Sequence, residues 1–268
     1  MNGSTALRGK ILCGDALQVL WTLPAGSARL VVADPPYYRV LNAAWDNQWP
    51  DEHAYLEWSA RWMVGALQVL CPGGLLYCFG QVGKREHTFL RLASQSLCGW
   101  IFHDLIIWDR CVGYNERRDS FTPAYEMILV LRKDGAPPYF NKDAVREPYD
   151  AATAARYARD RRYKNAAARW THLCRGKYAT NLWRIPSLKG SSKERAGHPT
   201  QKPLALIERI VLSSSAPGEL VLDPFLGSGT TAVACEKHGR DWLGIEASPQ
   251  YCTMAQRRLK VLAGSETA

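Results

Sequence analysis

The 268-residue sequence predicts an α/β protein built on a largely parallel sheet. Three observations predict it. Short apolar runs of strand length recur along the chain, stretches of helical periodicity separate them, and two of the runs end in a turn-forming motif placed as at a strand tip.

In the first part, Arg29 to Ala33 reads as a strand, Tyr55 to Leu70 as an amphipathic helix and Gly74 to Phe79 as a strand. Leu105 to Trp108 and Met127 to Leu131 read as two more strands. From about residue 132 the periodicity breaks into short polar and charged pieces, punctuated by Pro137-Pro138, Pro148, Pro186 and Gly190-Ser191-Ser192. Order returns with a helix from Leu204 to Ser213, a strand from Glu219 to Leu222 and a helix after Gly229. A strand from Trp242 to Ile245 and a last helix from Pro249 to about Leu262 complete it. The organisation expected is therefore 1–131 and 198–268 as two halves of one domain sharing a sheet, with 132–197 inserted between them.

An apolar content of 47% suffices for a real core. No stretch approaches the roughly 20 apolar residues of a spanning helix, and Met1 to Lys10 lack the apolar heart of a signal peptide, so a soluble intracellular protein is expected. The eight cysteines, at 13, 71, 78, 98, 111, 174, 235 and 252, lack the close spacing of a zinc site or redox pair, and no metal is expected. The net charge of +9 is concentrated: residues 132–202 hold 17 Lys and Arg against 6 Asp and Glu, a local +11, and the rest, 17 against 19, is −2. That segment interleaves its cations with Tyr157, Tyr163, Trp170, Tyr178 and Trp183. Basic and aromatic residues together suit a polyanion whose bases can be stacked upon.

The motif Asp223-Pro224-Phe225-Leu226-Gly227-Ser228-Gly229-Thr230 follows one apolar run and opens a helix. Glycines there let the backbone turn sharply and approach a bound group, and Asp223 can accept from an ammonium. Glu246 ends the next run, about 20 residues on, where a carboxylate can hold ribose hydroxyls. No Gly-Lys-Ser/Thr sequence is present for a triphosphate, so a nucleoside such as S-adenosylmethionine suits the loop better than ATP, with a dinucleotide the alternative.

Asp34-Pro35-Pro36-Tyr37 follows the run Leu30 to Ala33. Prolines fix φ and lack an amide hydrogen, so the segment is a stiff ledge offering the Asp34 carboxylate and the Pro35 carbonyl as converging acceptors. An exocyclic amine donating to both is drawn out of conjugation, and Tyr37 offers a flat face to a base. A proline turn with a solvated aspartate is the plain alternative.

With these motifs in this order, the chain resembles the beta-group amino-methyltransferases of DNA. The likeness runs from Cys13-Gly14-Asp15-Ala16-Leu17 to Glu246. It tightens at Asp143 to Asp150, Asn181 to Arg184 and Gly197 to Pro203, which resemble the adenine-N6 enzymes of restriction systems cutting at GAATTC. The resemblance implies a Rossmann-like S-adenosylmethionine-dependent methyltransferase fold in circularly permuted order, catalytic block first and cofactor loop last, with an inserted target-recognition region at 132–197. It implies Asp34, Pro35, Pro36 and Tyr37 as the catalytic block. The cofactor would meet Asp223, Pro224, Phe225, Gly227, Ser228, Gly229 and Thr230, with Glu246 on its ribose, Asp15 and Ala16 near its adenine, and His198, Thr200, Gln201 and Lys202 by its methionine end. Arg117 and Arg118, beside Tyr114, and the cluster Arg156, Arg159, Arg161, Arg162 and Lys164 are the expected contacts to double-stranded DNA, with solvated arginines as the alternative. A homodimer is compatible with the family, and the setting implied is the cytoplasm of a bacterial or phage-infected cell.

The implied reaction is methylation of adenine N6 after base flipping. The alternatives are cytosine N4, whose enzymes more often carry Ser where this chain has Asp34, and a silent DNA-binding regulator of the same fold. Cys71 precedes Pro72, whereas enzymes attacking cytosine carbon 5 carry their cysteine after the proline, which disfavours a covalent mechanism. Relatives often have Asn after the catalytic tyrosine. Tyr38 in its place leaves the shape of the loop from Tyr38 to Trp49 open.

Overall fold

A computed structural model describes residues 8–82, 88–94, 99–113, 118–160, 162 and 165–265. Its centre is an eight-stranded sheet. In chain order the strands are β1 (Lys10–Cys13), β2 (Ala28–Ala33), β3 (Leu70–Gly80), β4 (Trp100–Asp109), β5 (Tyr125–Lys133), β6 (Leu182–Arg184), β7 (Leu220–Asp223) and β8 (Asp241–Glu246). They lie in the order β1-β8-β7-β2-β3-β5-β4-β6. β5 alone runs against its neighbours β3 and β4; the other pairings are parallel.

The central strands are buried on both faces, so each carries two alternating sets of apolar side chains. Val31 and Ala33 of β2, Leu76 and Cys78 of β3, and Met127 and Leu129 of β5 face one core. It is closed by α1 (Ala16–Leu20), α2 (Glu52–Val69) and α3 (Thr88–Ser94). Leu30, Val32, Leu75, Tyr77, Ile128 and Val130 face the other. There the cover is α6 (Leu204–Ser214), α7 (Thr230–Lys237) and α8 (Pro249–Ser265). No helix of the described residues is long and apolar enough to cross a membrane.

Strands of both outer portions lie in one sheet, with β7 and β8 between β1 and β2, and the segment 132–197, expected as an insertion outside it, contributes the edge strand β6 beside β4. The segment 132–197 holds more regular structure than its broken periodicity suggests. Its helices are α4 (Ala151–Arg159) and α5 (Ala166–Arg175), capped by the side chains of Asp150 and Asn165. α4 buries no residue. Trp183 departs from the expected exposed aromatic set: it sits in β6, buried at 6%, with Arg209 over its ring.

Leu222 is fully buried in β7, between β8 and β2. Leu222→Ala should cost about 2–5 kcal/mol of stability, seen as a lower denaturant midpoint with unchanged slope. An unchanged midpoint would count against this strand as the centre of the fold.

Candidate active site

Strand tips gather the candidate residues on one rim. Parallel strands end on the same side of a sheet, so Asp15 after β1, Asp34 after β2, Arg110 after β4, Asp223 at the end of β7 and Glu246 at the end of β8 all stand there. β5 runs the other way, and so it brings its start, Glu126, to this rim. Lys202 arrives from the segment leading into α6.

Around Asp34 the contacts are short. The Tyr37 hydroxyl donates to Asp34 Oδ1 at 2.6 Å and stands 3.1 Å from Glu126 Oε2. Lys202 Nζ lies 2.8 Å from Asp34 Oδ1, 3.0 Å from the Tyr37 oxygen and 3.5 Å from Glu126 Oε2. Lys202 and Glu126 are buried. Burial alone would push the Lys202 ammonium down, but Asp34 and Glu126 outweigh it, so its pKa lies above the ordinary lysine value. Burial, then the Asp34 and Glu126 charges, hold the Tyr37 phenol well above its usual range, so it stays protonated. Asp34 Oδ2 makes no hydrogen bond among the described residues, which leaves it free to receive one.

The loop after Tyr37 is organised by a residue the sequence did not single out. Asp46, 1% exposed, accepts from the amides of Tyr37 at 2.6 Å, Val40 at 2.7 Å and Leu41 at 2.7 Å. This clasp holds Tyr38 and Arg39 in the left-handed region, at φ 62° and 56°, where non-glycine residues are strained. Tyr55 adds a hydrogen bond to the Pro36 carbonyl and stacks on Tyr38. A lone aspartate in a loop carries no sequence signal for such a role.

The glycine loop turns through Gly227 at φ 52° and Gly229 at φ 79°. A methyl group on Gly229 would come within 2.8 Å of Ala255 Cβ, so glycine is required there for packing as well as for φ. Asp223 accepts from the Phe225 amide at 2.9 Å and the Thr231 hydroxyl at 2.6 Å, and burial pushes its carboxyl up to about 7. Glu246 accepts one amide on each oxygen, from Gly227 and from Ser248, both at 2.8 Å. Each oxygen keeps a further lone pair. Phe225 packs edge-on against Trp62.

The remaining candidates divide. His198 packs against Tyr251 and its pKa falls to about 4, through burial and then the Lys202 and Arg195 charges, so the ring is neutral at pH 7. Thr200 contacts His198 Nδ1 at 3.3 Å. The Gln201 side chain is spent on Ala196 and Glu194, closing its own loop. The Ser228 and Thr230 hydroxyls are held by Arg258 at 3.1 and 3.0 Å and are buried. Asp15 is exposed and caps α1 through the Leu17 amide, and Ala16 is buried behind it. Pro35 and Pro224 are buried.

Of the expected DNA contacts, Arg117, Arg161 and Lys164 lie outside the described residues, as do Tyr114 and Tyr163. Arg118 is exposed. Arg156 and Arg159 stand exposed in the last turn of α4, and Arg162 is paired with Asp160 at 2.6 Å. Trp170 is 64% exposed on α5.

The sequence profile of a DNA methylase family, N6_N4_Mtase, matches residues 28–257. The chain is 33% identical over 256 residues to the DNA adenine methyltransferase YhdJ of Escherichia coli K12, covering 94% of this chain and 82% of that protein. Among solved structures, the M1.HpyAVI–SAM complex is similar with a TM-score of 0.61 and 26% identity, over 93% of this chain and 98% of the other. The PvuII DNA methyltransferase, cytosine-N4-specific, shares the fold with a TM-score of 0.70 at 19% identity, over 94% and 86%.

Asp46→Ala removes the acceptor of three amides and should cost about 1–3 kcal/mol, read as a lower denaturant midpoint. An unchanged midpoint would show that the loop holds its shape without the clasp.

Proposed function

The chain belongs to the N6/N4 DNA methylase family, and from that premise we propose that it methylates adenine N6 in double-stranded DNA, with Asp34 and the Pro35 carbonyl receiving the target amine. The observation that carries this reading is an Asp34 Oδ1 tied inward by Tyr37 and Lys202, beside an Oδ2 that makes no hydrogen bond among the described residues.

S-adenosylmethionine is the family's cofactor, and when bound it supplies an electrophilic methyl group on a sulfonium. The residues at the tips of β7 and β8 fit such a nucleoside. Gly227 and Gly229 turn the loop through positive φ without side chains of their own, with the His198 ring lying against Gly227, Glu246 retains lone pairs for two hydroxyls, and Asp223 is a carboxylate suited to an ammonium. Lys202 and the neutral His198 would lie toward the methionine end.

On the other side of the rim, the amine donates its two hydrogens to Asp34 Oδ2 and the Pro35 carbonyl, which frees the nitrogen lone pair. With the cofactor bound, the held amine would receive its methyl carbon while the carbon–sulfur electron pair stayed with the departing thioether, and the nitrogen would be cationic until the proton it gives up passed to solvent. Asp34 stabilises that cation electrostatically, and the stiff ledge contributes by holding the nucleophile in place. Tyr37 offers its ring to the flipped base, and its hydroxyl is engaged below. The cations Arg118, Arg156, Arg159 and Arg162, with Trp170, supply phosphate and stacking contacts for the duplex.

Asp at position 34 and the similarity to an adenine methyltransferase favour adenine. Nucleoside analysis of DNA methylated by the protein should yield N6-methyladenine; N4-methylcytosine would overturn the choice of base and leave the ledge chemistry intact. Asp34→Ala should abolish transfer while cofactor binding persists, and Asp223→Ala should weaken cofactor binding. Full activity in the Asp34 variant would end the assignment.

The raised Asp223 carboxyl also gives cofactor affinity a pH dependence. Below about 7 Asp223 is protonated and cannot pair with an ammonium, so affinity should strengthen as pH rises through about 7. Asp223→Asn should flatten that rise in a binding titration, and a wild-type affinity constant from pH 6 to pH 8 would contradict it.

A further inference from the structure

Glu126 has no place in the motifs, yet it is 6% exposed and stands against the catalytic block. Its Oε2 faces the Tyr37 hydroxyl at 3.1 Å and Lys202 Nζ at 3.5 Å. Its Oε1 is held from behind by Gln81 Nε2 at 3.2 Å and Arg110 at 3.4 Å. Lys202 has three N–H donors and three oxygen acceptors around it: Asp34 Oδ1, the Tyr37 oxygen and Glu126 Oε2. The Tyr37 hydroxyl has one proton, and the shorter contact, 2.6 Å to Asp34, takes it. Two oxygens, of Tyr37 and Glu126, would then repel each other across 3.1 Å without the Lys202 ammonium that both face.

The cluster contains two carboxylates, Asp34 and Glu126, and two cations, Lys202 and Arg110, so it is electrically balanced. The Lys202, Glu126 and Arg110 side chains are 8%, 8% and 9% exposed, and Asp34, at 23%, is the member that reaches the surface. A buried charge without its partner is costly, so removing any member leaves the others to rearrange.

We propose that Glu126 is a positioning residue for methyl transfer: through Tyr37 and Lys202 it fixes Asp34 with Oδ1 turned inward and Oδ2 presented to the target amine. The proposal rests on the reading of Asp34 as the amine's acceptor. It assigns the Tyr37 hydroxyl a second task besides the stacking of its ring.

The groups facing Lys202 are Asp34, Tyr37, Glu126 and the neutral His198, with the rings of Phe79 and Trp108 around them. Asp34 and Glu126 are the two that raise its pKa against burial. Transfer that depends on the ammonium is retained below the Lys202 pKa and lost above it. Replacing Glu126 by a neutral residue therefore brings the alkaline loss of activity to lower pH, whereas a carboxylate with a packing role alone would leave it in place.

The test is single-turnover methyl transfer from radiolabelled S-adenosylmethionine to unmethylated DNA, followed against pH for the wild type, Glu126→Gln, Glu126→Asp and Asp34→Ala, with cofactor affinity and thermal midpoint measured on each. Glu126→Gln should lose about 10- to 100-fold in rate, keep cofactor affinity, and show its alkaline limb lowered by about one unit or more. Glu126→Asp, which keeps the charge but shortens the reach, should lose rate with the limb in place, and it carries the test if the glutamine variant does not fold. A wild-type rate and limb in Glu126→Gln, or an unchanged rate in Glu126→Asp, overturns the proposal. If Asp34→Ala is inactive while the Glu126 variants are normal, only the role of Glu126 falls. If Asp34→Ala is fully active, the reading of Asp34 falls with it.

Discussion

β2 and β7 pair in parallel, with Leu30 beside Val221 and Val31 beside Leu222, and everything at the rim depends on that register. It sets the ends of two apolar strands next to each other, although Asp34 and Asp223 are 189 positions apart in sequence. One strand ends in a ledge whose two prolines offer no amide donor, the other in a loop that turns through Gly227 and Gly229 at positive φ. The proposed amine acceptor and the proposed nucleoside site thus share one edge, and the apolar cores on the two faces of the sheet hold the register in place. A slip of one residue would reverse which core each β2 side chain meets.

The rim itself is not built for stability. Lys202, Glu126 and Arg110 are charged and buried, an arrangement that apolar residues of similar volume often match or better in stability. The strained pair Tyr38 and Arg39 adds a further cost, which the Asp46 clasp offsets. Both features converge on Asp34 and Tyr37. Charges and strain concentrated where one carboxylate must keep a fixed orientation make sense as preorganisation, since a ledge that reoriented on each turnover would lose the advantage of a held nucleophile.

Much of the fold was legible because the central strands alternate between two cores and read as apolar runs: β2, β3, β5, β7 and β8 were each found within a few residues of their observed bounds. Asp34 and Asp223 were legible because each follows such a run. Glu126 was not, although it directly precedes one, because only the reversed direction of β5 carries its start to the rim. Asp46 was hidden for a similar reason, its work being hydrogen bonds to backbone amides. Trp183 looked like a member of an exposed basic face because β6 spans three residues. The Ser228 and Thr230 hydroxyls, near the cofactor loop in sequence, turn inward to Arg258, a partner about 30 residues away.

On the proposed function, the tips of β2 and β7 form one site with two halves. A crystal structure with S-adenosylhomocysteine tests it most directly. The ribose should lie against Glu246, the amino acid end against Asp223 and the sulfur should face Asp34 and the Pro35 carbonyl across an open space. A ligand seated away from the tip of β7, or a sulfur screened from Asp34 by protein, would contradict the account.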